Sequence, residues 1–194
     1  MINNNNNNIS YEVMNPSNGG SWSKVEWNAI HKDKLLDMDM AAAYKRFAFE
    51  LRDDFFNKVS TAFVEHIKTK VTYSDVDINS FILMSKEDNR VLANIWGLIP
   101  LTQTSTLQNL SLTIYCEHKH FPAILVPTEQ KIENNDYTDI IKVNERRCQW
   151  AIKVCQTPYV VLLIGDISTH KIFFIEKDEE YQRSIIAFID SQIK

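Results

Sequence analysis

Apolar segments of strand length set between helical ladders predict an α+β (α/β) fold, with a mixed central sheet flanked by helices. Three observations carry that expectation. Leu51, Phe55, Val59 and Phe63 recur every four residues, the spacing of one buried helix face. Four apolar stretches of strand length follow between residues 80 and 126. The last third then runs helix, strand, turn, strand, helix.

The elements are expected in the following order. Residues 1–20, with the Asn3–Asn8 run and Asn15-Pro-Ser-Asn-Gly-Gly, are low in apolar content and are expected to be disordered. Residues 21–194 then form a single domain. Helical spacing covers Asp37–Lys70, with Ala41–Ala43 adding propensity, as one bent helix or two. Strands are expected at Ser80–Ser85, Val91–Pro100, Leu110–Glu117 and Ala123–Val126. The polar stretches Lys86–Asn89 and Thr102–Asn109 separate them, and Glu129–Asp139 reads as an acidic loop. Asn144–Gln156 returns to helical spacing, with Cys148, Ala151, Ile152 and Cys155 on one face, and Pro158 ends it. Tyr159–Gly165 is a nearly continuous apolar strand and Lys171–Glu176 pairs with it across a turn. Asp178 is placed to cap a final helix whose buried face is Tyr181, Ile185, Phe188, Ile189 and Ile193.

Composition bounds the class. In 194 residues, 44% apolar and 24% charged content are those of an ordinary globular protein. No apolar run reaches the roughly 18–20 residues needed to span a bilayer, so no membrane partner is expected. Cys116, Cys148 and Cys155 are odd in number and lack C-x-x-C spacing, which predicts reduced thiols and a cytoplasmic or nuclear location. A net charge of −4 argues against a chain that coats nucleic acid indiscriminately, while leaving room for a local basic groove.

The chemistry-bearing pattern is Glu117-His118-Lys119 at the end of the run that begins at Leu110. On a strand, residues i and i+2 share a face, so Glu117 and Lys119 point the same way. A carboxylate beside an ammonium is minimal equipment for metal-dependent phosphodiester hydrolysis: the acid holds Mg²⁺ and the lysine orients or polarises the attacking water. The same pair is also what an ordinary edge-strand ion pair looks like. Cys116, His118 and His120 alternate on the other face, where consecutive same-face strand residues lack usual zinc geometry. Glu129-Gln130-Lys131 repeats the triplet within the acidic loop and reads as solvated.

Four segments together resemble the lambda-exonuclease and YqaJ-type recombinase branch of the PD-(D/E)xK nuclease superfamily, over roughly Asp37 to Lys194. NIWGLI (94–99) is similar to that family's Asp-Gly motif followed by apolar residues, and YCEHKHFP (115–122) to its Glu-x-Lys strand. RRCQWAIKV (146–154) is similar to the helix carrying a site glutamine, and FFIEKDEEYQRSIIAFIDS (173–191) to the closing strand and helix.

The resemblance implies a PD-(D/E)xK restriction-endonuclease-like core and a set of roles. Glu117 would ligate Mg²⁺ or Mn²⁺ together with the His118 backbone carbonyl, and Lys119 would sit beside the nucleophilic water. Glu65 would be a helix acid touching the metal, and Gln149 would orient Lys119 or contact phosphate. Apart from the resemblance, Arg146 and Arg147 are a small basic pair that reads either as a contact to DNA phosphates or as a solvated helix start. The family's metal-binding aspartate maps to Trp96, which cannot ligate Mg²⁺.

Trp96 is then a core aromatic, a base-stacking residue in a DNA cleft, or a sign that an acid such as Asp75, Asp77 or Asp88 has relocated. Three functions are expected in turn. The first is a DNA-processing relative with weak or lost cleavage that binds DNA or a protein partner. The second is an active Mg²⁺-dependent exonuclease of recombination, and the third a protein-binding module or inhibitor on a degenerate scaffold. An oligomer is compatible with each.

Overall fold

The computed structural model describes residues 9–14, 23–31, 34, 40–50, 52–69, 81–100, 106–107, 110–111, 120–129 and 132–192. Its architecture is mixed α+β, with a three-stranded and a four-stranded sheet and helices against both.

The first strand, β1 (Tyr11–Met14), lies within the segment expected to be disordered. It pairs antiparallel with β2 (Phe81–Ser85), Tyr11 opposite Ser85 and Met14 opposite Ile82. Tyr11 and Val13 pack on one apolar cluster while Met14 packs on another, so the four residues fill both faces of an edge. The Ser10 hydroxyl donates to the Cys155 carbonyl at 2.6 Å, tying this end to the middle of the chain. Asn-rich surroundings hid a short alternating strand, and the order of residues 9–14 comes from contacts distant in sequence.

Helix α1 (Lys24–His31) starts at a capping box formed by Ser23 and Glu26. Glu26 N–H donates to Ser23 Oγ at 3.2 Å and Ser23 N–H to the Glu26 carboxylate at 3.0 Å. Trp27 of this helix is fully buried with Ala43, Ile82 and Leu92.

The expected helical stretch 37–70 resolves into two helices, α2 (Met40–Glu50) and α3 (Asp54–Lys68). Asp53 breaks them: its carboxylate accepts the Phe56 N–H at 2.6 Å as an N-cap. Phe56, Val59, Phe63 and Ile67 make the buried face of α3.

Strand β3 (Leu92–Ile95) pairs with β2, and β4 (Gly97–Pro100) joins the other sheet, so the single strand expected over Val91–Pro100 is split at Trp96. Strands β5 (Thr106–Leu107) and β6 (Leu110–Ser111) pair with each other. Residues 112–117 of the expected 110–117 strand lie outside the described residues. The four-stranded sheet has the order β4, β7 (His120–Pro127), β8 (Tyr159–Gly165), β9 (His170–Glu176). Strands β7 and β8 are parallel, as the long crossover through α4 (Thr138–Cys155) requires.

Helix α4 begins six residues before the expected Asn144, because Asp136 accepts the Thr138 N–H at 3.0 Å and starts the turn inside the acidic stretch. Gln156, in the left-handed region at φ 51°, ends it. The expected cap of the last helix, α5 (Glu179–Gln192), is present: Asp178 accepts N–H bonds from Glu180 and Tyr181 at 2.9 Å. Ile185 and Ile189 are buried beneath it, whereas Phe188 is 40% exposed.

The four-stranded sheet thus carries two apolar layers. One faces α4 and α5; the other faces α3 and contains Phe63, Trp96, Phe121, Ala123, Leu125 and Val161.

Candidate functional site

Trp96 sits where the chain leaves one sheet for the other. Its N–H donates to the Ala123 carbonyl at 2.8 Å, and the next residue, Gly97, pairs with Ala123. The side chain turns under α3, is 1% exposed, and donates its indole N–H to Ser60 Oγ at 2.8 Å. Ser60 is the polar partner that lets a tryptophan be buried there at little cost. A residue so covered cannot stack on a base, which corrects the DNA-contact expectation for Trp96; its burial is that of a core aromatic.

The residues that share this layer are as informative as Trp96. Phe121, Ala123 and Leu125 are the β7 residues on the face toward α3, and all are apolar and buried. From α3 the same layer receives Phe56, Val59, Phe63 and Ile67. Among the described residues, no group of three or more His, Cys, Asp or Glu side chains is placed to hold a metal. The described hydrogen-bond partners of Trp96 are the Ser60 hydroxyl and the Ala123 carbonyl, and neither is the carboxylate oxygen that Mg²⁺ asks for. Glu117, His118 and Lys119 lie outside the described residues, as do Asp75 and Asp77.

Glu65 is on the solvent face of α3, its side chain 69% exposed and 3.2 Å from Lys68. It is turned away from the apolar layer, because the inward positions of this helix are Phe63 and Ile67. Asp88 lies in the β2–β3 turn, where its hydrogen bonds from Arg90 hold the carboxyl below the usual range despite partial burial. It is engaged by Arg90 within its own turn.

Gln149 is buried, and its amide is engaged from both ends. Its Nε2 donates to the Glu176 carbonyl at 2.8 Å, while its Oε1 accepts from Asp178 N–H at 3.0 Å and Gln182 Nε2 at 3.1 Å. These bonds fasten α4 to the junction between β9 and α5. The glutamine expected to face substrate is therefore a joint of the scaffold.

The two adjacent arginines divide. Arg147 is buried and lies 3.6 Å from Glu50, which also accepts Arg46 Nε at 3.1 Å, so a charged cluster joins α2 to α4. That corrects the phosphate-contact expectation for Arg147. Arg146 is exposed, with its guanidinium 5.8 Å from the Trp150 ring centre and 5.6 Å from that of Phe188. Both are cation–π distances. Tyr181, Ser184 and Ile185 complete a shallow cleft between α4 and α5 around these three side chains. The sequence held half of this arrangement, since Arg146 and Trp150 are one helical turn apart. Phe188 was assigned to the buried face, and only the docking of α5 brings it to Arg146.

A third cluster was not anticipated. His66 of α3 and His170 of β9 stack with ring centres 4.9 Å apart, and Phe63 meets His170 edge-on at 4.8 Å. Burial lowers the His170 pKa, and the nearby Asp166 opposes the shift. The two histidines are over a hundred residues apart, so no local pattern signals them.

Among the described residues no helix is long and apolar enough to cross a membrane. Cys148 and Cys155 are buried, and burial pushes the Cys155 thiol far above its usual range, which makes it inert. No protein-family model matches the chain, and no curated protein is significantly similar to it.

Proposed function

We propose that this chain is a nuclease-like scaffold of the lambda-exonuclease and YqaJ type that has lost cleavage and acts by binding DNA. The observation that carries the reading is Trp96: an indole buried under α3 and bonded to Ser60 stands where the resemblance expects a metal-binding aspartate. Topology supports the scaffold part. Helices come first, a mixed sheet with a parallel β7–β8 pair follows, and a helix, hairpin and helix close the chain. The binding part rests on Arg146, whose guanidinium is held against two aromatic rings and is open to a phosphate oxygen in the α4–α5 cleft.

The test is incubation of the protein with duplex and single-stranded DNA, with and without Mg²⁺ or Mn²⁺, beside a binding titration at several salt concentrations. The expected result is intact DNA in every lane. Binding should weaken as salt rises, and Arg146→Ala should weaken it further. Metal-dependent loss of DNA that disappears in Glu117→Ala or Lys119→Ala would return the chain to the active exonucleases.

A second reading, a protein-binding module, is favoured by the internal pairing of cations. Arg46, Lys58, Lys68, Arg90, Arg147, Lys153 and Lys177 each lie within 4 Å of a carboxylate of the same chain, so these cations are engaged before any phosphate arrives. Absence of any salt-sensitive DNA binding, with a partner retained on purification, would select it.

A further inference from the structure

The α4–α5 cleft carries, beside Arg146, an aromatic ring whose exposure phosphate binding alone does not explain. Phe188 is 40% exposed, although α5 buries Ile185 and Ile189 right beside it. Leaving a phenylalanine partly in water forgoes stability that burial would supply. Trp150, the other ring near Arg146, is sealed: it is 1% exposed and donates its indole N–H to the Leu92 carbonyl at 2.6 Å. It holds Phe188 in place, with ring centres 6.4 Å apart and planes 69° apart. The Arg146 guanidinium lies 5.6 Å from the Phe188 ring centre, and Tyr181 and Ser184 border the same cleft.

Charge is arranged around that ring. Lys142 precedes Arg146 by one turn of α4, so the two share a helix face, about 6 Å apart along the axis. Both are exposed, and among the described residues neither lies within ion-pair distance of a carboxylate. The one acid after Phe188 in α5, Asp190, lies 3.6 Å from Arg90 and is answered there. A duplex would satisfy the two cations, but its base faces are covered by stacking and the ring would stay bare. An apolar peptide would cover the ring and leave the cations unanswered. An unpaired nucleotide offers a flat face and a negative charge together.

We propose that this cleft is a site for single-stranded DNA: an unpaired base stacks on Phe188 while its flanking phosphates meet Arg146 and Lys142. Phe188 is thereby the residue that sets single strand above duplex. This role rests on the DNA-binding reading of the cleft and adds the form of DNA that it takes.

The test is a titration of the full chain, without divalent metal, against three labelled DNAs of equal length. They are an oligothymidine strand, the same strand with abasic sites through its centre, and a blunt duplex. The intact strand should bind roughly five- to a hundredfold more tightly than the abasic strand, the span of one base–aromatic stack, and more tightly than the duplex. Phe188→Leu keeps an apolar side chain and should bring intact and abasic strands to the same affinity, whereas Phe188→Tyr keeps the ring and should keep the ratio. Each ratio is taken within one protein, so a loss of folded material does not alter it. Lys142→Ala should weaken intact and abasic strands alike. An iododeoxyuridine strand crosslinked by ultraviolet light should attach to Phe188 or Tyr181. Equal affinity for intact and abasic strands in wild type, a duplex bound as tightly as the intact strand, a full preference retained in Phe188→Leu, or crosslinks confined to another element overturns the proposal. Each of those leaves DNA binding itself standing. No salt-sensitive binding to any of the three DNAs removes that reading and the role of Phe188 with it.

Discussion

Replacing Trp96 with aspartate tests whether its position is a vacant metal site or a filled core. The indole is 1% exposed and its N–H is bonded to Ser60. Truncating a buried tryptophan costs about 3–5 kcal/mol through lost transfer energy and the cavity left behind. The new carboxyl would lie in a layer made by Phe63, Phe121, Ala123 and Leu125, with no cation among them. It would remain charged at a penalty of several kcal/mol or take up a proton and lose its value as a ligand. The sum takes most of the roughly 5–15 kcal/mol that a domain has to spare. Mg²⁺ at a hundredfold excess over its dissociation constant would return only about 2.7 kcal/mol. Urea unfolding of wild type and Trp96→Asp, each with and without Mg²⁺, reads these terms directly. The expected result is a variant that is largely unfolded or far less stable, with no protection by metal. A folded Trp96→Asp that loses less than about 2 kcal/mol and is stabilised by Mg²⁺ would refute the core assignment.

Three further outcomes follow from the same geometry. Gln149→Leu should lower the melting temperature by several degrees or more, because each buried partner left without its bond at the β9–α5 junction costs about 1–3 kcal/mol; an unchanged melting curve would mean the amide is free for another role. Gly165→Ala should destabilise by at least the roughly 1–3 kcal/mol of an overpacked core, since its Cβ would stand 1.8 Å from the Thr169 carbonyl oxygen, and calorimetry checks it. For pH, the folded state holds His170 below its ordinary pKa, so the unfolded chain binds more protons; its contribution is intact above about pH 6.5 and is lost as pH falls through the folded pKa. Melting temperatures across that window should fall toward acid in wild type and fall less in His170→Phe, which keeps a ring against Phe63.

How much of this was legible in one dimension differs from element to element. Tyr159–Gly165 and Lys171–Glu176 could be read directly, because a central strand is a continuous apolar run and a hairpin partner follows it closely. Asp178 was legible as a cap because capping is local: one carboxylate and the next two or three N–H groups. Strand β1 was not, since four residues carry little pattern and their stability lies in β2 and in the Ser10 bond to Cys155. The split at Trp96 was equally hidden, because Leu92–Ile99 is apolar throughout and periodicity cannot say that two halves of such a run join different sheets.

The site divides along the same line. The sequence by itself determined that Trp96 offers no ligand to Mg²⁺, that Arg146 and Trp150 share a helix face, and that helices and strands alternate as a mixed α+β fold requires. These are properties of side-chain chemistry and of neighbours within a turn or two. Only the tertiary structure decided that Trp96 is sealed under Ser60, that Gln149 braces a joint, and that Arg147 answers Glu50 while Arg146 faces Phe188. Each of those depends on which distant segment arrives at a given face, and helical or strand period fixes the face without naming what it meets.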